Sequence, residues 1–450
     1  MPHPLPLCQT AQGASGRQHK RNEVMLIEFR VKNFRSIREE QCLTMEAQPK
    51  LDDQDFRLRR VEGHKGALLC AAGIYGANAS GKSNLLRAMA WMGSATRDSH
   101  RLWDPDGGIP REAFKWDGGP REDSLMEVKF VEDGVTYQYG FAFDGQQILE
   151  EWLHQWTQGR RRVLFKREQD RYHLPSKWLE NKSFFTSIAR KNSLFLSVLH
   201  QNNHQKFQKI IKKIIKSLRS NSPRIENIFT DPIFPNGTSS EIFNSYTTSQ
   251  KKDILNLLQA SDLGIKDFKK TINKYNDSLH IETTFFRHNS IHSDEDAWLD
   301  LDEESAGTQT LVGMIPWVFS ALEVGSVYVV DELESSLHPL LASKVIQLFQ
   351  DPASNPRGAQ LIFTTHDAAL LGDHPAMEPL RRDQVWFTEK DAYGATRLYP
   401  LTDYKAPRKG VEDLEHSYLE GRYGGIPTLL PWHSKGDGAG RTQGGDDEPK

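Results

Sequence analysis

Eight residues, Gly76-Ala77-Asn78-Ala79-Ser80-Gly81-Lys82-Ser83, limit the choice of fold more than any other part of the sequence. They complete the pattern G-x-x-x-x-G-K-[ST]. Glycines at its two ends let successive backbone N–H groups wrap a phosphate chain, with Lys82 reaching the β/γ-phosphates and the Ser83 hydroxyl serving Mg²⁺. The flanks agree with that reading. Leu68 to Tyr75 is a short apolar run suited to a buried strand, and Leu85, Met89 and Met92 then fall on one helical face. A strand feeding a glycine loop and a helix N-terminus is a ready anion site. Gly76, Asn78, Ser80, Gly81, Lys82, Ser83 and Asn84 are therefore candidate cofactor-binding residues; the bland alternative is a Gly-rich turn.

A second signal is Val327-Tyr328-Val329-Val330-Asp331-Glu332, an apolar strand ending in two carboxylates. Asp331 is placed to hold Mg²⁺ and Glu332 to polarise an attacking water. Many strands end in acidic turns, so this segment gains its meaning from the phosphate loop. Asp331 lies 331 − 82 = 249 positions after Lys82, more than a minimal nucleotide-binding domain needs. A subdomain must be inserted between the two halves.

The 450 residues suit two or three domains, and no run of about 18 apolar residues exists to span a membrane. With 57 Lys+Arg against 60 Asp+Glu, the net charge of −3 excludes a histone-like polycation but not local basic patches. Cys8, Cys42 and Cys70 are too few and too scattered for a disulfide framework or zinc cluster, which points to a reducing cytoplasmic setting. No Cys-x-x-Cys, His-x-x-x-His or Gly-x-Ser-x-Gly pattern occurs.

Along the chain, 1–24 reads as a disordered N-terminal extension without an apolar signal region, with Met25 a plausible natural start. Residues 431–450 read as a disordered tail. Leu26 to Phe34 suggests a strand turning at Asn33. Met126 to Phe143 alternates on both sides of Asp133-Gly134, a hairpin signal, and Arg162 to His173 adds a further β pair. Ser193 to Leu199 reads as a strand. Gln205 to Arg219 carries six basic residues and no acidic one, with Phe207, Ile210, Ile211, Ile214, Ile215 and Leu218 on one helical face. A polar, loop-like stretch at 220–249 and a helix near 250–263 follow. Strands are predicted at 327–330, 360–364 and 385–387. The expected division is 25–200 as an N-lobe with an antiparallel β subdomain, 201–290 as a mainly helical insertion, and 291–430 as a C-lobe.

These landmarks together resemble the ABC-type ATPase heads of SMC, Rad50 and RecF proteins and the ATPase half of OLD nucleases. The likeness is greatest to the stand-alone AAA15/OLD-like ATPases of bacterial abortive-infection and other anti-phage systems. It rests on Phe29 to Ile37 (FRVKNFRSI), on GANASGKSN, and on Glu304-Ser305-Ala306-Gly307-Thr308 as a degenerate signature. It continues through Asp331 to Pro339 (DELESSLHP), Leu361 to His366 (LIFTTH) and Tyr418 to Pro427 (YLEGRYGGIP). The fold so implied is an α/β ABC-type P-loop head with a mixed sheet core, an antiparallel β subdomain and a short insertion.

The resemblance implies ATP and Mg²⁺ as cofactors, with Lys82, Glu332 and His366 as catalytic residues. Ser305 and Gly307 would present N–H groups to the γ-phosphate of ATP held by an opposite subunit, which implies a homodimer or higher oligomer; a plain helix N-cap is the rival role for Ser305. His366 would sense the γ-phosphate, and His338 would act as a positioning residue at the dimer seam. Gln201 is the candidate glutamine near Mg²⁺, joining Ser83 and Asp331 as metal residues, with Gln138 as its rival. The Lys row of 206–219 could meet nucleic acid or an acidic partner, or be the solvated face of a core helix. The implied role is phage defence through a separately encoded effector, a nuclease or toxin, since too little sequence follows the last motif for a Toprim domain. Rival readings are a RecF- or Rad50-like repair ATPase clamping DNA and a nucleotide-gated scaffold with negligible turnover.

Overall fold

The computed structural model describes residues 24–49, 51, 54–175, 179–218, 248–260, 264–274, 280–291, 297–375, 377, 380–405 and 413–427. The expected N-terminal extension up to residue 23, the loop-like stretch at 220–247 and the tail at 431–450 lie outside those residues.

Two sheets sandwich one long helix. The first is antiparallel and seven-stranded, in the order β10-β9-β8-β7-β6-β1-β2. Its members are β1 (Met25–Lys32), β2 (Gln41–Thr44), β6 (Ser124–Glu132), β7 (Val135–Phe143), β8 (Ile148–Thr157), β9 (Arg160–Glu168) and β10 (Arg171–His173). The β6–β7 turn is Asp133-Gly134, both at positive φ (50° and 75°), as a two-residue hairpin requires. The second sheet has the order β14-β15-β5-β16-β17. It comprises β5 (Ala71–Gly76), β14 (Val327–Val330), β15 (Gln360–Thr364), β16 (Val385–Lys390) and β17 (Thr396–Pro400). Its first four strands run parallel and only β17 is antiparallel. Covered on both faces, β14 and β15 are buried at every position, which is why they read as unbroken apolar runs.

Helix α1 (Lys82–Leu102) lies between the sheets. Leu85, Leu86, Met89 and Met92 share a core with Phe29, Phe141 and Phe143 from the antiparallel sheet and with Ile74 and Val327 from the parallel one. Trp91 stacks on Phe143 with centroids 5.0 Å apart. The outer face of the parallel sheet is covered by α6 (Ala306–Val324) and α7 (Pro339–Gln350) around a second core.

Four expectations need correction. The run read as one strand over Leu68 to Tyr75 is two, β4 (Ala67–Leu69) pairing with β3 (Leu58–Arg60), and β5 beginning after Cys70. The strand predicted at Ser193 to Leu199 is instead helix α3 (Phe195–Gln201), which follows α2 (Lys182–Ile188). Buried Glu151 accepts hydrogen bonds from the N–H groups of Phe195 and Leu196 at 2.6 and 3.1 Å, supplying the anion that a helix start favours. Buried Arg167 then ties the preceding turn through the Ser193 carbonyl, 2.6 Å away. Those two tertiary contacts, invisible in a local window, decide between helix and strand.

The third correction concerns the basic helix, α4 (Gln205–Ser217). It is no projecting insertion, because Phe207, Ile210, Ile211, Ile214 and Leu218 are buried in the core around α1. At about 1.5–3 kcal/mol for each fully buried side chain, that face anchors the helix firmly. Its lysines cover the outside, where Lys206, Lys209 and Lys212 are exposed and Lys213 pairs with Glu132. The core-helix reading is thus the one the structure supports, with α4 packed on the same core as α1. Fourth, the described residues beyond 218 and before 301 hold more strand than helix. They contain α5 (Thr248–Ala260) and then a three-stranded sheet of β11 (Asp267–Lys274), β12 (His280–Arg287) and β13 (Trp298–Asp300).

Candidate nucleotide site

The glycine loop leaves β5 and enters α1 through Gly81, whose φ of 110° no L side chain adopts comfortably. A Cβ there would also lie 2.1 Å from the Thr396 hydroxyl. The loop is braced from behind by short polar side chains. Ser80 Oγ meets Thr388 Oγ1 at 2.6 Å, Thr396 Oγ1 donates to the Ser80 carbonyl at 2.8 Å, and Asn84 Nδ2 donates to Ser36 Oγ at 2.7 Å. Ser80 and Asn84, both expected at the cofactor, use their side chains in this bracing, and their backbone N–H groups bond the carbonyls of Ala77 and Gly81 at 3.1 and 3.0 Å. Gly81 caps α1 with no side-chain hydrogen bond, and no acidic residue stands in the first turn, so the helix start keeps its positive end. Asn78 stands exposed on the loop's crown.

Lys82 is buried, and its Nζ donates to the carbonyls of Gly76 at 2.5 Å and Ala77 at 3.1 Å. Burial pulls its pKa down, while Glu334 and then Asp331 pull it back up. Ser83 Oγ donates to Asp331 Oδ1 at 2.8 Å across 248 positions of sequence. Thr364 Oγ1, at the end of β15, donates to the same oxygen at 2.7 Å and accepts from the Glu332 N–H at 2.8 Å. Glu332 itself has φ of 54°, a conformation that costs a non-glycine residue roughly 1–3 kcal/mol and is typically tolerated at working sites. Ser83 and Asp331 form a hard hydroxyl and carboxylate donor pair that suits Mg²⁺, beside an ammonium that suits phosphate. The residues present therefore fit a magnesium nucleotide.

His366 follows β15 and lies over the same edge. Its backbone N–H and its Nδ1 both reach Glu334 Oε1 at 2.9 Å. Neither Thr364 nor Glu334 was singled out from the sequence. The signal for Glu334 was a third acid two residues past Glu332, with a histidine closing the next strand.

Gln201 does not join this group. Its Nε2 donates to the Arg97 carbonyl at 3.3 Å, and Arg97 stands 14 residues up α1 from Ser83. At 1.5 Å per residue that is about 21 Å away, too far to share a cation with Ser83. The misplacement follows from the misread strand. Its rival Gln138 lies within β7, opposite Lys129 and His154, and bonds Glu127.

Ser305 and Gly307 start α6. Ser305 is exposed and its Oγ accepts the Thr308 N–H at 3.1 Å, so it is an N-cap in this chain. Gly307 packs so closely that a Cβ would lie 2.7 Å from the Ser336 carbonyl oxygen, which ties this helix start to the turn after Glu334. His338 caps α7, its Nδ1 accepting from Leu340 N–H at 3.3 Å. The closing segment around α8 (Leu414–Leu419) backs the loop from beneath. The Tyr418 ring lies edge-on to Tyr75 at 5.9 Å and its hydroxyl donates to Gly425 O at 3.2 Å. Burial pushes that hydroxyl up to about 12, against the opposing pull of a Gly76 backbone hydrogen bond.

Among the described residues, no helix is long and apolar enough to cross a membrane. No curated protein matches the chain. Among solved structures, the SMC head domain from Thermotoga maritima is 13% identical with a TM-score of 0.39, over 83% of this chain and 98% of that one. A Smc head domain with an extended coiled coil, bound to the C-terminal domain of ScpA and derived from Pyrococcus furiosus, is 10% identical with a TM-score of 0.39, over 84% and 97%. The family described as "AAA domain, putative AbiEii toxin, Type IV TA system" matches residues 71–372. That span is well over half of the 450 residues and runs from β5 past His366. It takes in the loop, both carboxylates and His366, and the chain belongs to this AAA-domain family.

Proposed function

We propose that the chain binds ATP with Mg²⁺ on the loop 76–83 and hydrolyses the terminal phosphate. What carries the reading is the contact of Ser83 with Asp331 across 248 positions, which sets Glu332 beside the loop on a strained turn. Bound Mg²⁺ would supply charge neutralisation at the phosphates, held by Ser83 and Asp331. Lys82 would exchange the carbonyls of Gly76 and Ala77 for phosphate oxygens, the backbone N–H groups of the loop would orient the chain, and Glu332 would take the proton of the attacking water. His366 presents Nε2 on its exposed side as a contact for the terminal phosphate.

In this reading two copies close head to tail, so that Ser305 and Gly307 of one complete the site of the other. The exposed start of α6 supports it, because N–H groups at an open helix start suit a phosphate brought by another molecule. Closure and reopening would control a separately encoded effector, a nuclease or toxin, in defence against phage. The test compares wild type with Lys82→Ala and Glu332→Gln. Lys82→Ala is expected to weaken ATP binding about a hundredfold, whereas Glu332→Gln keeps affinity and loses about a hundredfold in turnover. If wild type and Glu332→Gln bind ATP alike and neither turns over, a nucleotide-gated scaffold replaces the hydrolase.

A second reading, a clamp on DNA, draws on α4, whose outward face carries Lys206, Lys209 and Lys212 and no acid. Duplex binding that falls steeply with salt and is lost when those three lysines become glutamine would favour it.

A further inference from the structure

Glu334 is a buried carboxylate that neither cation binding nor water activation accounts for. Its Oε1 accepts the His366 N–H at 2.9 Å, and the ring nitrogen Nδ1 of the same residue lies within 2.9 Å of that oxygen. Its Oε2 is buried with no partner among the described residues. The His366 side chain is 57% exposed, so Glu334 grips the inner edge of a ring whose outer edge is open. A carboxylate that only closed a turn would need one backbone bond. Here the ring also stands against the same oxygen, and a carboxylate that close to Nδ1 favours the proton on that nitrogen, because two lone pairs would repel.

We propose that Glu334 is a positioning residue that fixes the proton of His366 on Nδ1 and leaves Nε2 as the ring atom offered to a terminal phosphate. This rests on the hydrolase reading for its consequence but not for its geometry. Nδ1–H is the less favoured tautomer of a free neutral imidazole, so its presence would itself register the partner. Without Glu334 the ring rotates and exchanges tautomers, and turnover falls while the loop around Lys82 still holds nucleotide.

The experiment has a spectroscopic arm and a kinetic arm. Long-range ¹H–¹⁵N spectra of histidine-labelled protein locate the ring proton, with the His366 signals identified by their loss in His366→Ala. Wild type is expected to carry a proton on Nδ1, and Glu334→Ala to lose that preference. Wild type protonated on Nε2 alone overturns the proposal, and that measurement needs no variant at position 334 to fold. In kinetics, Glu334→Ala is expected to lower kcat about tenfold with ATP affinity changed less than about threefold. Adding Glu334→Ala to His366→Ala should then cost nothing more, because the two act as one unit. Losses that multiply, or a ring still fixed on Nδ1 in Glu334→Ala, overturn it. A wild type that binds ATP without turnover would sink the hydrolase reading alone, since the ring spectrum decides the position of the proton regardless.

Discussion

The two ends of the site are held in opposite ways. At the loop, Asp331 and Thr364 are buried, and Asp331 accepts side-chain bonds from Thr364, 33 positions away, and from Ser83, 248 positions away. At the start of α6, Ser305 and Ala306 are exposed, and the hydroxyl of Ser305 bonds only within its own first turn. The first end is preorganised inside one chain, where fixed donors gain most from a low-dielectric setting. The second is displayed at the surface, with its position set by Gly307 against Ser336, four residues after Glu332. On the proposed reading, a single copy would carry what nucleotide affinity needs. Turnover is where a second copy would be felt.

Ser305→Arg presses hardest on that contrast. A long cation on the exposed helix start leaves the buried loop untouched but obstructs any second molecule there. ATP affinity of the isolated chain should stay within about threefold, whereas ATP-driven self-association disappears and turnover falls about a hundredfold, the scale of losing transition-state donors. Titration with a fluorescent ATP analogue, sedimentation and phosphate release measure the three quantities. Turnover that survives Ser305→Arg would mean that one chain holds a whole site.

Thr364→Val probes the opposite end with a smaller effect. The substitution nearly preserves volume but removes the donor to Asp331 and strands the Glu332 N–H. An unsatisfied buried group costs about 1–3 kcal/mol, so the urea midpoint should drop accordingly. Turnover should fall about tenfold as the Glu332 turn loosens, with self-association on ATP preserved. Equal losses in Thr364→Val and in a surface control such as Thr310→Val would erase the distinction between the ends.

How legible the molecule was in its sequence follows the same division. The phosphate loop, β14 and β15 were readable because each is a local pattern: a glycine spacing, or a run of apolar residues buried on both faces. Asp133-Gly134 was readable because positive φ at both positions selects those residue types. The helix α3 was not, since a short run with five apolar residues in seven fits either period and only Glu151 and Arg167, far away in sequence, settle the matter. The error carried Gln201 with it, whose role had been tied to a strand end. The face of α4 was drawn correctly, yet whether it met a core or a partner depended on what α1 offered opposite it. Thr364 and Glu334 went unseen because a threonine in a strand and one more acid in a turn have no signature of their own.

The smallest expected effect separates two functions of one side chain. Ser305 Oγ accepts the Thr308 N–H and also meets Thr308 Oγ1 at 2.9 Å, so its hydroxyl is already engaged in capping α6. Ser305→Ala removes that cap at a cost of about 1 kcal/mol. In a chain of this size, that shifts the thermal midpoint by no more than about 2–4 °C. The backbone N–H groups of Ala306 and Gly307, which need no particular side chain at 305, would still face a second copy. Turnover should therefore fall less than about threefold, against the far greater loss in Ser305→Arg. A drop in Ser305→Ala that matches Ser305→Arg while the midpoint barely moves would place the hydroxyl itself, rather than the backbone amides, on the phosphate held by the partner.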